Sequence, residues 1–343
     1  MPLVNIEINV IQNNQFVNIF IYKCFIGRKT IYQLIFYDVC FILKNVIKTQ
    51  KQGVKMPKKT PRVSVLTPIY NTNPSHLREM IESILNQTFT DFEFLILNDS
   101  PDNTEIEKIV LEYAKHDKRI KYSKNEKNMG ISDSRNKLLE MARGEYVAIF
   151  DHDDISMPTR LGQEVAVLDN HPEIGAVSGF LRLFGGKKEN SLHKCPENDF
   201  EIKCTMCGGC YFSHTASMLR KSVLDENNIR YEAEFTPCED FQLWNRLMDV
   251  TRFYCIQSVL VDYRNFDGNT TSKTRKIMGR LHGVIRADVS GRYPGHAKYF
   301  KRYTNMAGTL FRLRLFGFVP LLKIKNNKVY LFEIIPLFKI MWR

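Results

Sequence analysis

The pattern of apolar and polar residues becomes regular beyond Arg62. Short apolar runs then alternate with stretches in which apolar residues recur every three or four positions. The runs are typical of buried strands, and the spaced stretches are typical of amphipathic helices. In chain order the pattern predicts strand 63–67, helix 76–87, strand 92–97, helix 104–116, strand 120–122, helix 132–142 and strand 146–150.

This alternation predicts an α/β fold with a mostly parallel, Rossmann-like sheet and helices on both faces. In such sheets ligands bind beyond the carboxyl ends of the strands. The polar residues that follow three of the predicted strands are Tyr70-Asn71, Asn98-Asp99 and Asp151-His152-Asp153. We therefore expect these three strand ends to converge on one cleft.

The first 55 residues differ from the rest of the chain. Apolar residues crowd between positions 16 and 47, but charged residues interrupt them, so that no run reaches the length of a membrane-spanning helix. An interfacial amphipathic helix is one interpretation. The other is that the working protein begins at Met56, directly before the first predicted strand.

Two apolar segments near the C-terminus repeat each other at an offset of 16 residues. The segment 315–324 recurs as 331–340, and each copy contains a Pro-Leu pair with a lysine near its end. A hairpin, a membrane-contacting element and a plain packing element remain open as interpretations.

The formal charge of +12 is unevenly distributed. Residues 1–55 carry 7 Lys and Arg against 2 acidic residues, residues 56–272 carry 26 against 33, and residues 273–343 carry 16 against 2. We therefore predict an N-terminal extension (1–55), an acidic main domain (56–272) and a basic C-terminal extension (273–343). Basic ends favour contact with an anionic membrane surface over nucleic acid, with a solvated tail as the alternative.

The chain has eight cysteines and no pattern typical of a secretory signal, which favours a reducing cytoplasm with free thiols. Cys204, Cys207 and Cys210 recur every third residue. This spacing suits either a metal cluster or the buried face of a helix, and we favour the helix face because only Cys195 offers a fourth ligand.

A short acidic motif, Asp151-His152-Asp153-Asp154, directly follows a predicted strand. Carboxylates two residues apart at a strand end can share one hard cation together with phosphate oxygens of a substrate. An Asp-x-Asp sequence alone is common in loops, and its position at the strand end makes it informative.

Residues 62–272 resemble the family 2 glycosyltransferases, which have the GT-A fold. Six segments occur in the order of that family, and together they are specific although each is weak alone. They are 63–71 (VSVLTPIYN), 95–99 (LILND), 128–136 (NMGISDSRN), 142–154 (ARGEYVAIFDHDD), 214–218 (HTASM) and 238–244 (CEDFQLW).

The resemblance implies a role for each matching residue on the donor side. Pro68, Tyr70, Asp99, Arg135 and Asp151 would bind the nucleotide sugar, with Tyr70 beside the base and Asp99 accepting a hydrogen bond from it. Asp151 and Asp153 would hold Mg²⁺ or Mn²⁺. Taken singly, Tyr70 and Asp99 also suit a turn, and Arg135 suits a surface ion pair.

On the acceptor side, the resemblance makes Asp240 the general base of an inverting transfer, with Glu239 in support. Asp240 also suits the start of a helix. His214 and Trp244 would contact the acceptor, although Trp244 equally suits the core.

Two positions depart from the family pattern. Asn98 replaces the first of two usual acids, and Phe266 replaces the histidine of a Tyr-Arg-x-His motif. Asn269, Thr270, Thr271 and Ser272 are candidate substitutes for that histidine.

The sequence thus predicts transfer from a nucleotide diphosphate sugar, which we expect to be UDP-linked, to a saccharide or glycolipid acceptor. Surface polysaccharide or lipopolysaccharide synthesis at the cytoplasmic face of a membrane is the expected setting, and no nucleic-acid partner is expected. The main alternative is a non-catalytic nucleotide-sugar-binding protein with the same fold. A nucleotidyltransferase would need a glycine-rich loop, whereas 68–74 has no glycine. A nucleic-acid binder has only the basic and aromatic stretch 298–303 in its favour.

Overall fold

The computed structural model describes residues 5–12, 15–22, 60–186, 189–265 and 274–307, followed by strands 309–315, 319–325, 328–331 and 335–339. The chain forms two compact units, Met1–Lys59 and Thr60–Arg343. In the first unit, strands β1 (Asn5–Gln12) and β2 (Gln15–Tyr22) pair antiparallel. The start of the segment expected to hold an interfacial helix is therefore a strand, and the rest of that segment lies outside the described residues.

The second unit begins with the alternating elements that the sequence predicts. They are β3 (Val63–Ile69), α1 (Pro74–Leu85), β4 (Phe92–Asn98), α2 (Thr104–His116), β5 (Ile120–Lys124), α3 (Ile131–Met141) and β6 (Tyr146–Ile149). Asn73 and Asn103 cap α1 and α2, because each side-chain oxygen accepts a backbone N–H of the first turn.

The elements that follow complete the sheet and cover it. They are β7 (Ile155–Ser156), α4 (Arg160–Asn170), β8 (Ile174–Phe184), β9 (Leu192–His193), α5 (Asp199–Met206), β10 (Ser217–Arg220), α6 (Lys221–Glu226), α7 (Glu239–Leu247) and β11 (Arg252–Arg264). A short 3₁₀ helix, Ala233–Phe235, precedes α7.

The central sheet has the strand order β5-β4-β3-β6-β10-β8-β11-β7, with β9 added beside β8. Strands β5, β4, β3 and β6 are parallel, and β8 and β11 are parallel to each other. Strand β10 runs antiparallel between β6 and β8. The fold is therefore α/β, as the sequence predicts. The strand ends that are expected to form the cleft belong to the parallel half of the sheet.

Apolar side chains from both faces of the sheet build two core clusters. Along β3, Val63, Val65 and Ile69 join helices α1, α2 and α4 in one cluster, while Leu66 joins helices α3 and α7 in the other. Because successive strand residues point to opposite faces, helices cover the sheet on both sides.

The basic C-terminal region contains two helices, α8 (Arg275–Arg292) and α9 (Pro294–Ala307), and a four-stranded antiparallel sheet. Its strands are β12 (Thr309–Leu315), β13 (Val319–Lys325), β14 (Lys328–Leu331) and β15 (Ile335–Lys339). The two repeat copies contribute β13 and β15, which do not pair with each other because β14 lies between them. Within the part of the chain that the structure describes, no helix is both long and apolar enough to cross a bilayer.

Candidate active site

The ends of β3 and β4 are joined directly at the rim of the sheet. The Asp99 N–H donates to the Ile69 carbonyl over 2.9 Å, and the Asn71 N–H donates to the Ser100 hydroxyl over 3.1 Å. The loops after these two strands are therefore hydrogen-bonded to each other.

Asp99 is buried, and its carboxylate accepts hydrogen bonds from the loop before α3. Its Oδ1 accepts the Asn125 amide at 2.7 Å and the Met129 N–H at 2.8 Å, and its Oδ2 accepts the Gly130 N–H at 2.9 Å. Gly130 has φ +86°, a left-handed conformation that glycine adopts without strain. A carboxylate has about four acceptor sites, so these three bonds leave about one unused.

Asn98, which replaces the family's aspartate, is held by hydrogen bonds on both sides of its amide. Its Oδ1 accepts the Ser100 N–H at 2.8 Å, while its Nδ2 donates to the Tyr122 hydroxyl over 3.1 Å. A carboxylate at this position could accept the Tyr122 O–H instead, so these two bonds do not by themselves require an amide.

The two other predicted residues of β3 differ in exposure. Tyr70 follows the strand and is 50% exposed, so its ring is accessible at the rim. Pro68 is buried inside the strand, opposite Leu97 of β4, and so lies beneath the rim rather than on it.

Asp151 follows β6 and is held from two sides. Its N–H donates to the Thr215 hydroxyl over 3.1 Å, and its Oδ1 accepts from Arg135 Nη2 at 2.9 Å. Burial acts to raise the pKa of Asp151, but the charge of Arg135, its hydrogen bond and other nearby groups together outweigh burial, so the pKa lies below its usual value.

Arg264, at the end of β11, fixes the next two acidic residues. Its Nε donates to the Asp153 carbonyl over 2.8 Å, its backbone N–H donates to Asp154 Oδ1 over 2.9 Å, and its guanidinium also pairs with Glu79 of α1. Arg264 is a site residue that the pattern of the chain does not single out, although the partial Tyr263-Arg264 motif is a signal for it. Phe266 and the proposed substitutes at 269–272 lie outside the described residues.

Negative charge accumulates in this loop. Burial, together with the charge of Asp151, raises the pKa of Asp153. Burial and the charges of Asp153 and Asp151 raise the pKa of Asp154 well above its usual value. Asp154 Oδ2 is buried without a hydrogen-bond partner among the described residues. Burial and neighbouring negative charge therefore disfavour the charged forms of Asp153 and Asp154.

Arg135 links this acidic loop to the start of α7. Its Nη1 donates to Glu239 Oε1 over 2.7 Å, and its guanidinium lies 5.4 Å from the centre of the Tyr231 ring. The charges of Asp151 and Glu239 outweigh burial and raise the pKa of Arg135, so that it stays cationic. Glu239 Oε2 is buried and has no hydrogen-bond partner among the described residues.

Asp240 lies in the first turn of α7 and accepts the Phe241 N–H at 2.6 Å. The helix begins at Glu239 with Cys238 at the N-cap position, so Asp240 is not the N-cap that the alternative interpretation expected. Burial, reinforced by the adjacent charge of Glu239, raises the pKa of Asp240 to about 7. A carboxylate with this pKa is better matched to proton transfer near neutral pH than an ordinary aspartate.

His214 and Trp244 lie beneath the site rather than on its surface. His214 Nε2 is 2.9 Å from the Tyr231 hydroxyl, and burial together with Arg135 lowers the pKa of His214 to about 3. Trp244 is fully buried and packs against the rings of Phe212 and His214. The expectation that Trp244 contacts the acceptor is therefore corrected, because its side chain has no exposed surface.

A buried ion pair on α4, which the sequence pattern does not indicate, contacts strands β6 and β10. Arg160 and Glu164 are both fully buried on α4, with Nε 3.2 Å from Oε1. Arg160 Nη2 also donates to the carbonyls of Ile149 at 2.8 Å and Ser217 at 3.2 Å. It thus links β6 to β10 just before Asp151, and only tertiary structure reveals that this helical pair is buried.

The cysteine motif follows the expected helix face only at Cys204, because α5 ends at Met206 and Cys207 and Cys210 come after it. Cys204 is buried in α5, and Cys207 and Cys210 are partly buried after it, all as free thiols. Across the described ranges, no group of three or more His, Cys, Asp or Glu side chains forms a metal-binding cluster.

The fold and this rim of carboxylates define a protein of the GT-A type. Residues 64–227 match the family described as glycosyl transferase family 2. An uncharacterized glycosyltransferase of Methanocaldococcus jannaschii is 35% identical over 208 residues, which cover 60% of this chain and 71% of the relative. An uncharacterized glycosyltransferase of Haemophilus influenzae is 29% identical over 224 residues, covering 62% and 68%.

Among solved structures, S. aureus TarS 1–349 in complex with UDP-GlcNAc is similar, with a TM-score of 0.52 and 23% sequence identity. The match covers 65% of this chain and 66% of that chain, just under two thirds of its length. This likeness concerns the fold. The chain belongs to glycosyltransferase family 2, which confirms the resemblance seen in its sequence.

Proposed function

We propose that this chain is an inverting glycosyltransferase that uses a UDP-linked sugar and a saccharide or glycolipid acceptor. The observation that carries the proposal is the double contact of Arg135, which holds Asp151 at 2.9 Å and Glu239 at 2.7 Å. This contact keeps the proposed donor-side carboxylates beside Asp240.

On the donor side, the base would lie next to Tyr70, and the remaining acceptor site of Asp99 suits an N–H of the base, such as N3–H of uracil. Asp151 would contact the ribose or share the metal. The structure of TarS with UDP-GlcNAc supports a UDP sugar as the first donor class to test.

The acidic loop has the ligands that Mg²⁺ or Mn²⁺ prefers. Such cations are commonly held by one or two carboxylates and substrate phosphate oxygens, and Asp151 and Asp153 offer these carboxylates. Burial and neighbouring negative charge raise the pKa of Asp153 and of Asp154, and a bound cation would oppose both effects. When bound, the cation would offset the charge of the departing diphosphate.

On the acceptor side, Asp240 would take the proton of the acceptor hydroxyl while its oxygen attacks the anomeric carbon. The bond from that carbon to the diphosphate oxygen breaks in the same step, so the configuration inverts. The buried and otherwise unpartnered Oε2 of Glu239 suits a hydrogen bond from a sugar hydroxyl.

The setting we propose is synthesis of surface polysaccharide or lipopolysaccharide at the cytoplasmic face of a membrane. The 16 basic against 2 acidic residues of 273–343 support peripheral contact with anionic lipid.

The test is release of UDP from a panel of UDP sugars with Mn²⁺ or Mg²⁺, measured with and without saccharide acceptors. We expect slow hydrolysis of one donor, accelerated by a matching acceptor. UDP binding without turnover of any donor or acceptor would instead identify a non-catalytic nucleotide-sugar-binding protein. A panel of GDP and dTDP sugars is tested in the same way. Turnover of one of these donors would show that only the proposed nucleotide is wrong, and not the proposed reaction.

A further inference from the structure

The inner face of α8 fixes this helix against α7, which carries Asp240 in its first turn. Ile285 and Val289 of α8 are buried in the core. The ring of His282 lies 5.1 Å from that of Phe241, and Asn245 donates to Asp288 over 3.0 Å. Helix α8 therefore has a fixed position relative to the proposed base.

The outer face of α8 is apolar and basic. Ile277 is 49% exposed and Val284 is 54% exposed. The two residues are seven positions apart, so they share one side of the helix, and Arg280 lies between them on that side. In the sequence, no acidic residue occurs between Lys273 and Ala287.

The charge of the surrounding region favours one kind of partner. Residues 274–307 carry eight Lys and Arg against one Asp. Exposed aliphatic residues with cations beside them are typical of a helix that lies on an anionic lipid surface. A second copy of the chain would bring the same cations face to face, which is unfavourable.

This face adjoins the acceptor side of the proposed site. The Cys238 thiol lies 3.8 Å from the Met278 carbonyl, as a donor to it. Cys238 directly precedes Glu239 and Asp240, and Met278 directly follows Ile277. A surface bound at Ile277 would therefore lie close to the rim at which the acceptor arrives.

We propose that the outer face of α8, formed by Lys276, Ile277, Arg280 and Val284, docks on an anionic lipid bilayer and that the acceptor is carried by a lipid in that bilayer. The acceptor class rests on the proposed function, whereas the lipid contact does not.

The test is co-sedimentation of the full chain with vesicles of phosphatidylcholine that contain phosphatidylglycerol or lack it. The variants are Val284→Asp and, to separate charge from apolar contact, Lys276→Gln/Arg280→Gln. Leu111→Asp on α2 is the matched control, because Leu111 is also exposed, at 40%, and α2 covers the other face of the sheet. UDP-sugar hydrolysis without vesicles is measured for each variant, and Tm shows that each is folded.

We expect the native chain and Leu111→Asp to bind the anionic vesicles. Val284→Asp should lower the partition coefficient about ten-fold or more, since it removes apolar contact and adds repulsion. Hydrolysis should be unchanged in all variants. If the chain binds vesicles but releases no UDP from any donor, the lipid contact stands and the proposed function is wrong.

Absent binding by the native chain, or equal loss in Val284→Asp and Leu111→Asp, would overturn the lipid contact. Sedimentation velocity adds a further outcome that overturns it: a native dimer that Val284→Asp converts to a monomer would identify a second copy as the partner.

Discussion

The guanidinium of Arg135 lies 2.7 Å from the carboxylate of Glu239, although the two residues are 104 positions apart in the chain. Both side chains are only 9% exposed. This ion pair joins α3 of the parallel half of the sheet to α7, which carries the proposed base. The relative position of the donor and acceptor sides therefore depends on it.

We expect Arg135→Met to destabilise the protein by about 3–5 kcal/mol, because it leaves buried carboxylates of Asp151 and Glu239 without their cation. Urea unfolding followed by circular dichroism measures this change. Arg78→Met is a control at the surface, since Arg78 and its partner Glu112 are both exposed, at 42% and 62%. Equal stability of Arg135→Met and the native protein would show that this ion pair contributes nothing to the fold.

The exchange Asp240→Asn tests the proposed base. We expect transfer to fall by about 10²–10⁴-fold, because the amide cannot take the proton of the acceptor hydroxyl. UDP affinity, measured by calorimetry, should be nearly unchanged. Glu226→Gln, an exposed exchange at the end of α6, should retain native activity. Near-native turnover by Asp240→Asn would assign the proton transfer to another group.

The pH profile should report the raised pKa of Asp240, which is about 7. Below this pH the carboxyl group is protonated and cannot act as a base, so kcat/KM should fall by about ten-fold per pH unit toward pH 5.5. Above it, the rate should reach a plateau. Initial rates at saturating metal and constant ionic strength measure the profile, and the residual activity of Asp240→Asn should lack the inflection. A flat profile from pH 5.5 to 8.5 would contradict this role.

Metal removal should weaken donor binding. We expect EDTA to lower UDP affinity by about ten-fold or more, since the diphosphate would then face the carboxylates of Asp151 and Asp153 without a cation. Asp153→Asn should lower the affinity measured with Mn²⁺, whereas Glu140→Gln at the exposed end of α3 should not. Calorimetry with and without EDTA measures both effects. Equal affinity in the two conditions would remove the metal from the proposal.

A chain that begins at Met56 should fold and release UDP from its donor. The compact unit Thr60–Arg343 contains every proposed site residue, and β3 begins at Val63. Size-exclusion chromatography, a melting curve and the UDP-release assay compare it with the full chain. An insoluble or inactive shortened protein would show that the first 55 residues are needed for the fold.

The parallel half of the sheet could be predicted because each of its strands is a short apolar run bounded by polar residues. The position of β10 could not be predicted in this way. Its Ser217 pairs with Ile149 of β6 and its Met218 pairs with Val177 of β8, so its place depends on contacts between distant segments. Local periodicity has no information about such partners.

The residues of the candidate site likewise fall into those that the sequence predicts and those that it does not. The strand-end residues Asp99 and Asp151 follow from the rule that parallel strands end at one edge. Their partners do not: the bonds from Met129 and Gly130 to Asp99 depend on how a loop folds back. Trp244 shows the limit most clearly, since its spacing from Asp240 indicates a shared helix side, whereas packing decides its burial.

The burial of Trp244 also gives the protein an internal optical reporter. The chain has two tryptophans, Trp244 and Trp342, so the exchange Trp342→Phe leaves a single fluorophore. The Trp244 side chain is fully buried, and its ring centre lies 5.8 Å from that of His214. His214 stays uncharged at neutral pH because its pKa is about 3, so it does not quench the emission as an imidazolium ion would. Emission from Trp244 therefore reports directly on the packing beneath the acidic rim, without any added dye.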